Sequence, residues 1–573
     1  MNRKVLKIVT ETFFLILIYG SGLYFRLLPR LDQDPHLLTF EADIWYRLCM
    51  AQNLMDHGHL PQDDIRYEAY GGNSSASPLH KTDHPAQNSQ SVPLTQNGKV
   101  PFWYPPFSLY IFVWLSKISG WDLSTVSSRI IPFLESFVPL GFYFFSRFLM
   151  GRKVAFLATL FLALTPSFVF WSGISDPQSF TLLMIPLILL IWIKHALRYQ
   201  SEEVRKVSKY LRILLVGGLL ALCFFVHLSF FLIPCFLFPI TLGLLFKKMT
   251  RPRIFFDLLL ALGLSQILTV GWWGPQHLYW WWTQSITTSS ANHIPTKQLM
   301  DYGMVAGIVG IYFLTLLFIK MFSRKKEDTT WNWLPLIWAF LPLLETQNEH
   351  ILKLLGRVDL SWSTLFKPLE GFRFFCFLAQ PLAFGFGIIS SQTLKKLGGK
   401  RAIFMSIIPL IFILMFADMH FIYNFERRIK NAGFTIDEIE AAQWFRTHSK
   451  PTDRIIADYY RAQMFSGFSG GKALEGMAFP LRNVHLPYIS QHNYIVAKDV
   501  YKIYTTSIPE EAISLMKRYG ATHLFISQNM GNNGNFLNKK WGVTYNFDTL
   551  HNSKYFRAIY QKEGKVVILK RIV

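Results

Sequence analysis

The chain has little charge for its size. Asp, Glu, Lys and Arg make up 16% of its 573 residues, against about 25% in ordinary soluble domains. Hydrophobic residues make up 51%, and runs of roughly twenty of them recur from residue 8 to residue 423, the length that a helix needs to cross a bilayer. A soluble globular protein is therefore excluded, and the sequence predicts a polytopic α-helical membrane protein.

Cysteine is also scarce. Cys223, Cys235 and Cys376 lie in apolar runs, and Cys49 stands alone. This distribution indicates no disulfide framework.

The formal net charge of +22 does not indicate a nucleic-acid partner. Most basic clusters occupy short loops between apolar runs, which is the distribution that membrane insertion imposes. We therefore expect membrane lipids, and no nucleic acid, as partners.

The basic loops also predict the topology. The segment PPFSLYIFVWLSK (105–117) is short and begins with two prolines, which is typical of an interfacial or re-entrant segment. If it is not a span and the N-terminus is a retained cytoplasmic anchor, the basic loops all lie inside. The prediction is a transmembrane domain (1–423) of about eleven spans, among them 128–149 and 154–171, which includes a large first external loop (29–127). An extracytoplasmic domain (424–573) follows it.

The C-terminal region reads as a soluble α/β domain. Helix-like IDEIEAAQWFRTHS precedes strand-like RIIADYY, and helix-like PEEAISLMKRYG precedes THLFIS. The last residues, YFRAIYQKEGKVVILKRI, predict a hairpin. Alternating helices and strands favour a small α/β domain.

Two acids fall on predicted outside surfaces. Asp43 begins a helix-like stretch in which apolar residues recur at i, i+4, i+7 and i+11 from Ile44, and Asp176 lies in the turn SGISDPQ (172–178). Such acids can hold a divalent cation or orient a nucleophile. Ordinary structural roles fit as well: Asp43 can cap its helix or pair with Arg47, and Asp-Pro is a common helix start.

The segments around these acids resemble the catalytic subunits of oligosaccharyltransferases. In that family's first external loop an Asp is followed by an aromatic and then a basic residue, as Asp43, Trp45 and Arg47 are here. GRKVAFLATLFLALTPSFVFWSGISDPQSF is similar to the family's next spans, and Asp176 opens the triplet that matches its Asp-x-Glu motif. WYPPFSLYIFVWLSKISGWD is similar to its external helix.

The resemblance implies the GT-C class of membrane glycosyltransferases. These take a saccharide from a polyprenyl-phosphate- or polyprenyl-diphosphate-linked donor and act on an acceptor at the non-cytoplasmic face. It implies that Asp43 orients or activates the acceptor and that Asp43 and Asp176 bind a divalent metal, Mg²⁺ or Mn²⁺. Arg373 resembles the arginine that meets the donor phosphate, although an arginine snorkelling to the membrane interface would look the same.

The chain departs from the family pattern at three places. Gln178 stands where the second metal-binding acid is expected. The loop 273–301, where the family carries a catalytic glutamate, has no carboxylate before its last residue, so His293 becomes a candidate ligand. Of the family's Trp-Trp-Asp-Tyr-Gly acceptor motif, only Asp458 and Tyr459 are present.

These departures leave the function open in two ways. The acceptor is either an asparagine side chain of a protein or a hydroxyl of a lipid or glycan. A different class, a lipid-linked-saccharide transporter or an inactive scaffold subunit, is the further alternative. The small number of charges within the spans disfavours proton-coupled transport. The oligomeric state is not indicated.

Overall fold

A computed structural model describes most of the predicted helices and strands. The residues that it describes are 3–31, 42–60, 106–173, 177–199, 206–227, 232–284, 303–322, 330–346, 375–397, 401–430, 434–469, 473–474, 499–528, 530, 550, 554–562 and 565–572. The chain divides into two compact units. The first comprises residues 1–32, 129–275 and 291–427, and the second comprises 33–128, 276–290 and 428–573.

The first unit is helical. Its helices are α1 (Arg3–Leu31), α4 (Ile131–Glu135), α5 (Val138–Met150), α6 (Arg152–Ala163), α7 (Pro166–Trp171), α8 (Gln178–Arg198), α9 (Lys206–Val226), α10 (Leu232–Phe246), α11 (Ile254–Gln284), α12 (Met304–Phe322), α13 (Trp333–Thr346), α14 (Phe375–Lys396) and α15 (Arg401–Lys430). The last residues of α11 and α15 extend beyond this unit.

The apolar helices are those of an integral membrane protein. Among the described residues, five helical segments are long and apolar enough to cross a bilayer: Ile8–Leu27, Gln178–Arg198, Ser208–Val226, Met304–Met321 and Phe375–Lys396. Further apolar helices of 10–17 residues lie between these segments and after the last of them.

Proline interrupts two of the predicted spans. The segment 154–171 divides into α6 and α7 because Thr165 takes an extended conformation directly before Pro166, as the residue before a proline tends to do. The segment 128–149 divides into a π-helical turn (Val126–Ile130), α4 and α5, and Pro139 lies in the first turn of α5. In both segments a proline lies in the first turn of a new helix, where its missing N–H costs no hydrogen bond.

Helix α14 forms the core of the first unit. It is buried along nearly its whole length. The Phe386 ring stacks on Phe161 of α6 with a centroid separation of 4.7 Å, and it also contacts Phe313 of α12 at 5.0 Å and Phe412 of α15 at 5.8 Å. Such offset aromatic pairs add to the stabilisation from burial.

Buried acids pair with bases where the charge pattern predicts inside loops. Asp257 accepts from His195 Nε2 at 2.8 Å and from Lys209 Nζ at 2.9 Å. Glu11 of α1 pairs with Arg147 Nη1 at 2.6 Å. Paired carboxylates avoid the cost of an isolated buried charge, so these clusters fasten the helix ends.

The second unit contains helices and a five-stranded sheet. Its sheet has the order β2-β1-β3-β5-β4, in which β1 pairs in parallel with β2 and β3, and β5 pairs antiparallel with β3 and β4. The elements are α2 (Ala42–His57), α3 (Phe107–Ser119), α16 (Ile436–His448), β1 (Ile455–Ile456), α17 (Tyr459–Ser469), β2 (Ala473–Leu474), α18 (Pro509–Arg518), β3 (His523–Ser527), β4 (Phe556–Lys562) and β5 (Val566–Arg571).

The hairpin at the end of the chain is confirmed, and RIIADYY is a strand only in part. Strand β1 covers two residues, and the two tyrosines already belong to α17. The reason is Asp458, whose Oδ1 accepts from the Arg461 backbone N at 2.9 Å and so caps the helix.

A buried ionic network joins the elements of this domain. Arg461 donates to Glu438 Oε1 at 2.8 Å and to Asp458 Oδ2 at 2.7 Å, and Ser527 of β3 also donates to Glu438. Burial alone would lower the pKa of Arg461, but attraction to the two carboxylates outweighs it and raises the pKa above its ordinary value. The network fastens α16, α17 and β3 together.

Candidate functional site

Helix α2 carries the first candidate residue, Asp43, in its first turn. Ile44, Leu48 and Ala51 of the predicted apolar face are buried. The helix is enclosed more fully than its apolar pattern predicts, because Trp45, Arg47, Cys49 and Met50 are buried too. It therefore packs as part of the second unit's core.

A tryptophan on a glycine fixes the position of α2. Trp45 is 1% exposed and packs against Phe434 and Phe468, with centroid separations of 6.2 and 5.3 Å. A Cβ atom at Gly467 of α17 would lie 2.5 Å from Trp45 Cε3, so only glycine allows this close approach. Trp45, two residues after Asp43, is thus held against α17.

A hydrogen bond fixes the other end of α2. Arg446 Nη1 of α16 donates to Gln52 Oε1 at 3.1 Å, and Gln52 Nε2 donates to Asp56 at 2.7 Å. With contacts to α16 and α17 at different points along its length, α2 cannot slide or rotate freely.

Asp458 lies at the carboxyl end of the parallel strand β1, where ligands of α/β sheets commonly bind. Its side chain is buried, and both oxygens accept from Arg461, one from the backbone and one from the guanidinium. Tyr459 is the first residue of α17. The structure therefore gives Asp458 a structural contact within its own domain.

In the first unit, Arg26 fastens the start of the turn that contains Asp176. Arg26 is buried; its Nε donates to the Ser172 carbonyl at 3.1 Å, and its Nη2 donates to the Ser172 hydroxyl. A Cβ at Gly173 would lie 3.2 Å from Arg26 Cγ and 2.9 Å from the Val169 carbonyl oxygen. Glycine thus lets the arginine lie against the turn.

Two contacts fasten the other side of this turn. Gln178 opens α8 and is fully buried, and its Nε2 donates to Cys376 Sγ of α14 at 2.9 Å. The next residue, Ser179, donates to Glu135 of α4. The turn is therefore bound to α1, α4 and α14 on its two flanks.

Several predicted site residues lie outside the described part of the structure. These are Asp176, Arg373 and His293, together with the side chains of Asp43 and Tyr459. Within the described residues, no three His, Cys, Asp or Glu side chains are grouped as a metal site would require. Of the predicted metal ligands only Gln178 has a described side chain, and its amide nitrogen donates a hydrogen bond to the Cys376 sulfur.

Sequence reasoning missed the residues that hold the candidates in place. Each of these residues contacts a partner that is distant in the sequence: Arg26 contacts Ser172, Gly467 contacts Trp45, and Cys376 contacts Gln178. The one available signal was Arg26 itself, a charged residue near the end of an apolar run, since such residues need a partner.

Comparison of the fold with solved structures finds similar proteins over nearly the whole chain. The archaeal oligosaccharyltransferase AglB from Archaeoglobus fulgidus, in complex with an inhibitory peptide and a dolichol-phosphate, superposes with a TM-score of 0.58 at 12% identity, over 98% of this chain and 74% of that one. ArnT from Cupriavidus metallidurans, bound to undecaprenyl phosphate, superposes with a TM-score of 0.55 at 9% identity, over 98% of both chains. An AglB complex with zinc and sulfate is similar as well, with a TM-score of 0.56 at 12% identity over 97% of this chain and 73% of that one.

By sequence, no protein-family model and no curated protein matches the chain. The likeness therefore lies in the fold, which is that of the GT-C glycosyltransferases. The expected polytopic membrane GT-C fold is thereby confirmed, whereas the count of about eleven spans and the C-terminal α/β domain stay predictions.

Proposed function

We propose that this chain, which has a GT-C fold, is a membrane glycosyltransferase. It transfers a saccharide from a polyprenyl-phosphate- or polyprenyl-diphosphate-linked donor to an acceptor at the non-cytoplasmic face. The observation that carries the proposal is the fold likeness, which covers 98% of this chain in both AglB and ArnT. Each of these two structures contains a polyprenyl phosphate, which is dolichol-phosphate in AglB and undecaprenyl phosphate in ArnT.

In the proposed reaction an acceptor nitrogen or oxygen attacks the anomeric carbon of the donor sugar. The bond between that carbon and the phosphate oxygen breaks, and its electron pair leaves with the polyprenyl (di)phosphate. The acceptor loses one proton, which a carboxylate takes up and passes to water. Asp43 is our first candidate for this carboxylate, because its helix is held rigidly by Trp45 and Gln52, and precise placement is what an orienting group needs.

Asp176 and Arg373 are proposed for the donor side. A guanidinium binds phosphate oxygens through paired hydrogen bonds, so Arg373 would stabilise the departing phosphate. The described residues before and after Asp176 are held by Arg26, which binds Ser172, and by the hydrogen bond from Gln178 to Cys376.

A divalent cation, Mg²⁺ or Mn²⁺, would when bound neutralise charge on the phosphate. Asp43, Asp176 and His293 are its proposed ligands. The hydrogen bond from Gln178 Nε2 to Cys376 Sγ orients this amide, and Gln178 is proposed as a further, weaker ligand through its Oε1.

The acceptor has two candidates, and one observation favours the second. An asparagine acceptor in a protein would call on Asp458 and Tyr459, the two remaining residues of the peptide-recognition motif. Both Asp458 oxygens accept from Arg461 inside the domain. This arrangement supports a hydroxyl of a lipid or glycan as the acceptor.

The test compares cells that express the wild-type chain with cells that express Asp43→Asn at equal levels. Glu440→Gln is the control, because Glu440 is half-exposed in the same unit and loses the same charge, while its partner Lys562 keeps Asp437. Intact glycopeptides and extracted glycolipids are read by mass spectrometry. We expect a glycolipid or surface glycan to lose a sugar in Asp43→Asn alone.

The other outcomes are equally informative. Loss of asparagine-linked glycopeptides would establish the protein acceptor and overturn the preference for a hydroxyl. Unchanged glycans in Asp43→Asn, with glycans altered when the gene is deleted, would overturn the catalytic proposal and indicate a transporter or scaffold subunit.

A further inference from the structure

Helix α8 of the first unit contains a proline in its interior. Pro186 has no N–H, so the Leu182 carbonyl, four residues earlier, lacks the hydrogen bond that an uninterrupted helix would give it. Leu182 is fully buried, so bulk water cannot supply the missing donor. A buried carbonyl in this state costs free energy comparable to that of a lost hydrogen bond.

Gln380 of α14 supplies the missing donor. Its Nε2 donates to the Leu182 carbonyl oxygen at 2.7 Å, and the glutamine is fully buried. Since a carbonyl can only accept, the amide nitrogen is the end of the side chain that must face α8. The amide oxygen has no partner among the described residues, so the bond to Leu182 is what offsets the burial of the amide.

The first half of α8, before the proline, is joined to α14 at a second point. Gln178 Nε2 donates to Cys376 Sγ at 2.9 Å. Leu182 lies about one helical turn after Gln178, and Gln380 lies about one turn after Cys376. Two consecutive hydrogen bonds therefore connect the first halves of two helices that run in the same direction. Together they fix the spacing and the register of these two halves.

The second half of α8, after Pro186, is joined to other helices. Trp192 Nε1 donates to Thr241 of α10 at 2.9 Å, and His195 Nε2 lies 2.8 Å from Asp257 Oδ2 of α11. Helices kink at an interior proline, because one turn lacks its own hydrogen bond. The proline therefore separates a part of α8 that is held by α14 from a part that is held by α10 and α11.

We infer that Gln380 is a positioning residue, which joins the first half of α8 to α14 at the carbonyl that Pro186 leaves without a donor. Asp176 stands two residues before α8, and Arg373 stands two residues before α14. A donor phosphate that both residues contact requires a fixed spacing between the two helix starts. The role of Gln380 in donor binding rests on the proposed function, whereas its role in joining the two helices does not.

The first measurement is thermal unfolding of the purified full chain in detergent. Gln380→Leu leaves the Leu182 carbonyl without its donor, and we expect the unfolding temperature to fall by roughly 2–4 °C. Pro186→Ala restores the N–H that α8 lacks, so in the double variant residue 186 donates to this carbonyl and most of the fall should disappear. Equal losses with and without Pro186→Ala would show that Gln380 does not replace the missing donor, and would overturn the inference.

The second measurement is the affinity of the same variants for undecaprenyl phosphate, titrated into the purified chain. We expect Gln380→Leu to weaken binding roughly tenfold, which is about the net contribution of one hydrogen bond. The double variant should bind as weakly, because it regains the hydrogen bond within α8 but not the connection to α14. Recovery of affinity together with stability would show that Gln380 only stabilises the fold, and would overturn the positioning role.

Gln392→Leu is the matched control. Gln392 lies on α14 about three turns after Gln380, roughly 18 Å along the helix, and its amide bonds with Lys320 and Asn332. We expect this variant to lose stability but to keep its affinity for undecaprenyl phosphate. Loss of affinity here as well would overturn the positioning role of Gln380.

The two measurements separate this inference from the proposed function. If the wild-type chain does not bind undecaprenyl phosphate, the proposed function and the role of Gln380 in donor binding both fail. The unfolding temperatures decide independently whether Gln380 replaces the helix hydrogen bond that Pro186 removes.

Discussion

The contact between Trp45 and Gly467 predicts that one methyl group will displace the candidate catalytic helix. In Gly467→Ala the new Cβ would lie 2.5 Å from Trp45 Cε3 and 3.3 Å from the Trp45 carbonyl oxygen, whereas ordinary contact starts at 3.4 Å. The indole cannot swing away, because it is 1% exposed and enclosed by Phe434 and Phe468. Helix α2 must therefore move by about 1 Å.

The size of both effects follows from that movement. Overpacking of this kind costs about 1–3 kcal/mol of stability. A shift of about 1 Å in a catalytic group can lower the rate on the order of 100-fold. We expect Gly467→Ala to lower the unfolding temperature of the purified protein and to reduce the glycan product far more than its stability loss explains.

Two further variants make this prediction refutable. Gly218→Ala is the matched control, since nothing lies within 4 Å of a Cβ at that helical glycine. Trp45→Leu removes the ring that the methyl group would meet. The stability loss of the double variant should therefore be smaller than the sum of the two single losses by about 0.5–3 kcal/mol. Wild-type behaviour of Gly467→Ala, or simple additivity with Trp45→Leu, would refute the reasoning.

Three other predictions follow from buried polar groups. Arg461→Met leaves two buried carboxylates without their cation and should cost about 3–5 kcal/mol of stability, measured by thermal unfolding against Arg557→Met at an exposed position of β4. Burial lowers the pKa of His523 to about 4 from 6.5, so the unfolded chain binds the proton first and stability should fall by at most about 3 kcal/mol as the pH drops from 6.5 to 4; the fall should vanish in His523→Gln. Arg26→Lys cannot replace both bonds to Ser172, so we expect lower activity with normal membrane insertion, and unchanged activity would argue against a positioning role.

The sequence predicted the fold wherever the determining forces are local. Hydrophobic run length located the apolar helices, although α11 extends to Gln284, into the predicted loop 273–301, and alternation placed β3 and the β4–β5 hairpin. The charge pattern kept 105–117 out of the spans, and the structure forms a short helix there. Each of these features depends on composition within one segment.

Features that depend on distant partners were out of reach. Nothing near Gly467 in the sequence indicates that Trp45 will pack against it. Likewise, nothing near Gln178 indicates a hydrogen bond to Cys376. The first loop was grouped with the membrane segments in the predicted domains, whereas α2 and α3 pack within the unit that contains residues 428–573. The roles of Asp43, Asp176 and Arg373 stay predictions.

The packing of α2 against α16 and α17 has a consequence for biosynthesis. Gln52 and its partner Arg446 are separated by 394 residues, and chains are synthesised at about 5–20 residues per second. The helix therefore leaves the ribosome roughly 20–80 s before its binding surface exists, with Trp45 and its apolar neighbours uncovered. The second unit can therefore assemble only late, after residues far along the chain have been synthesised. In a chain truncated before residue 434, α2 should stay uncovered and be degraded by the cell's quality-control proteases.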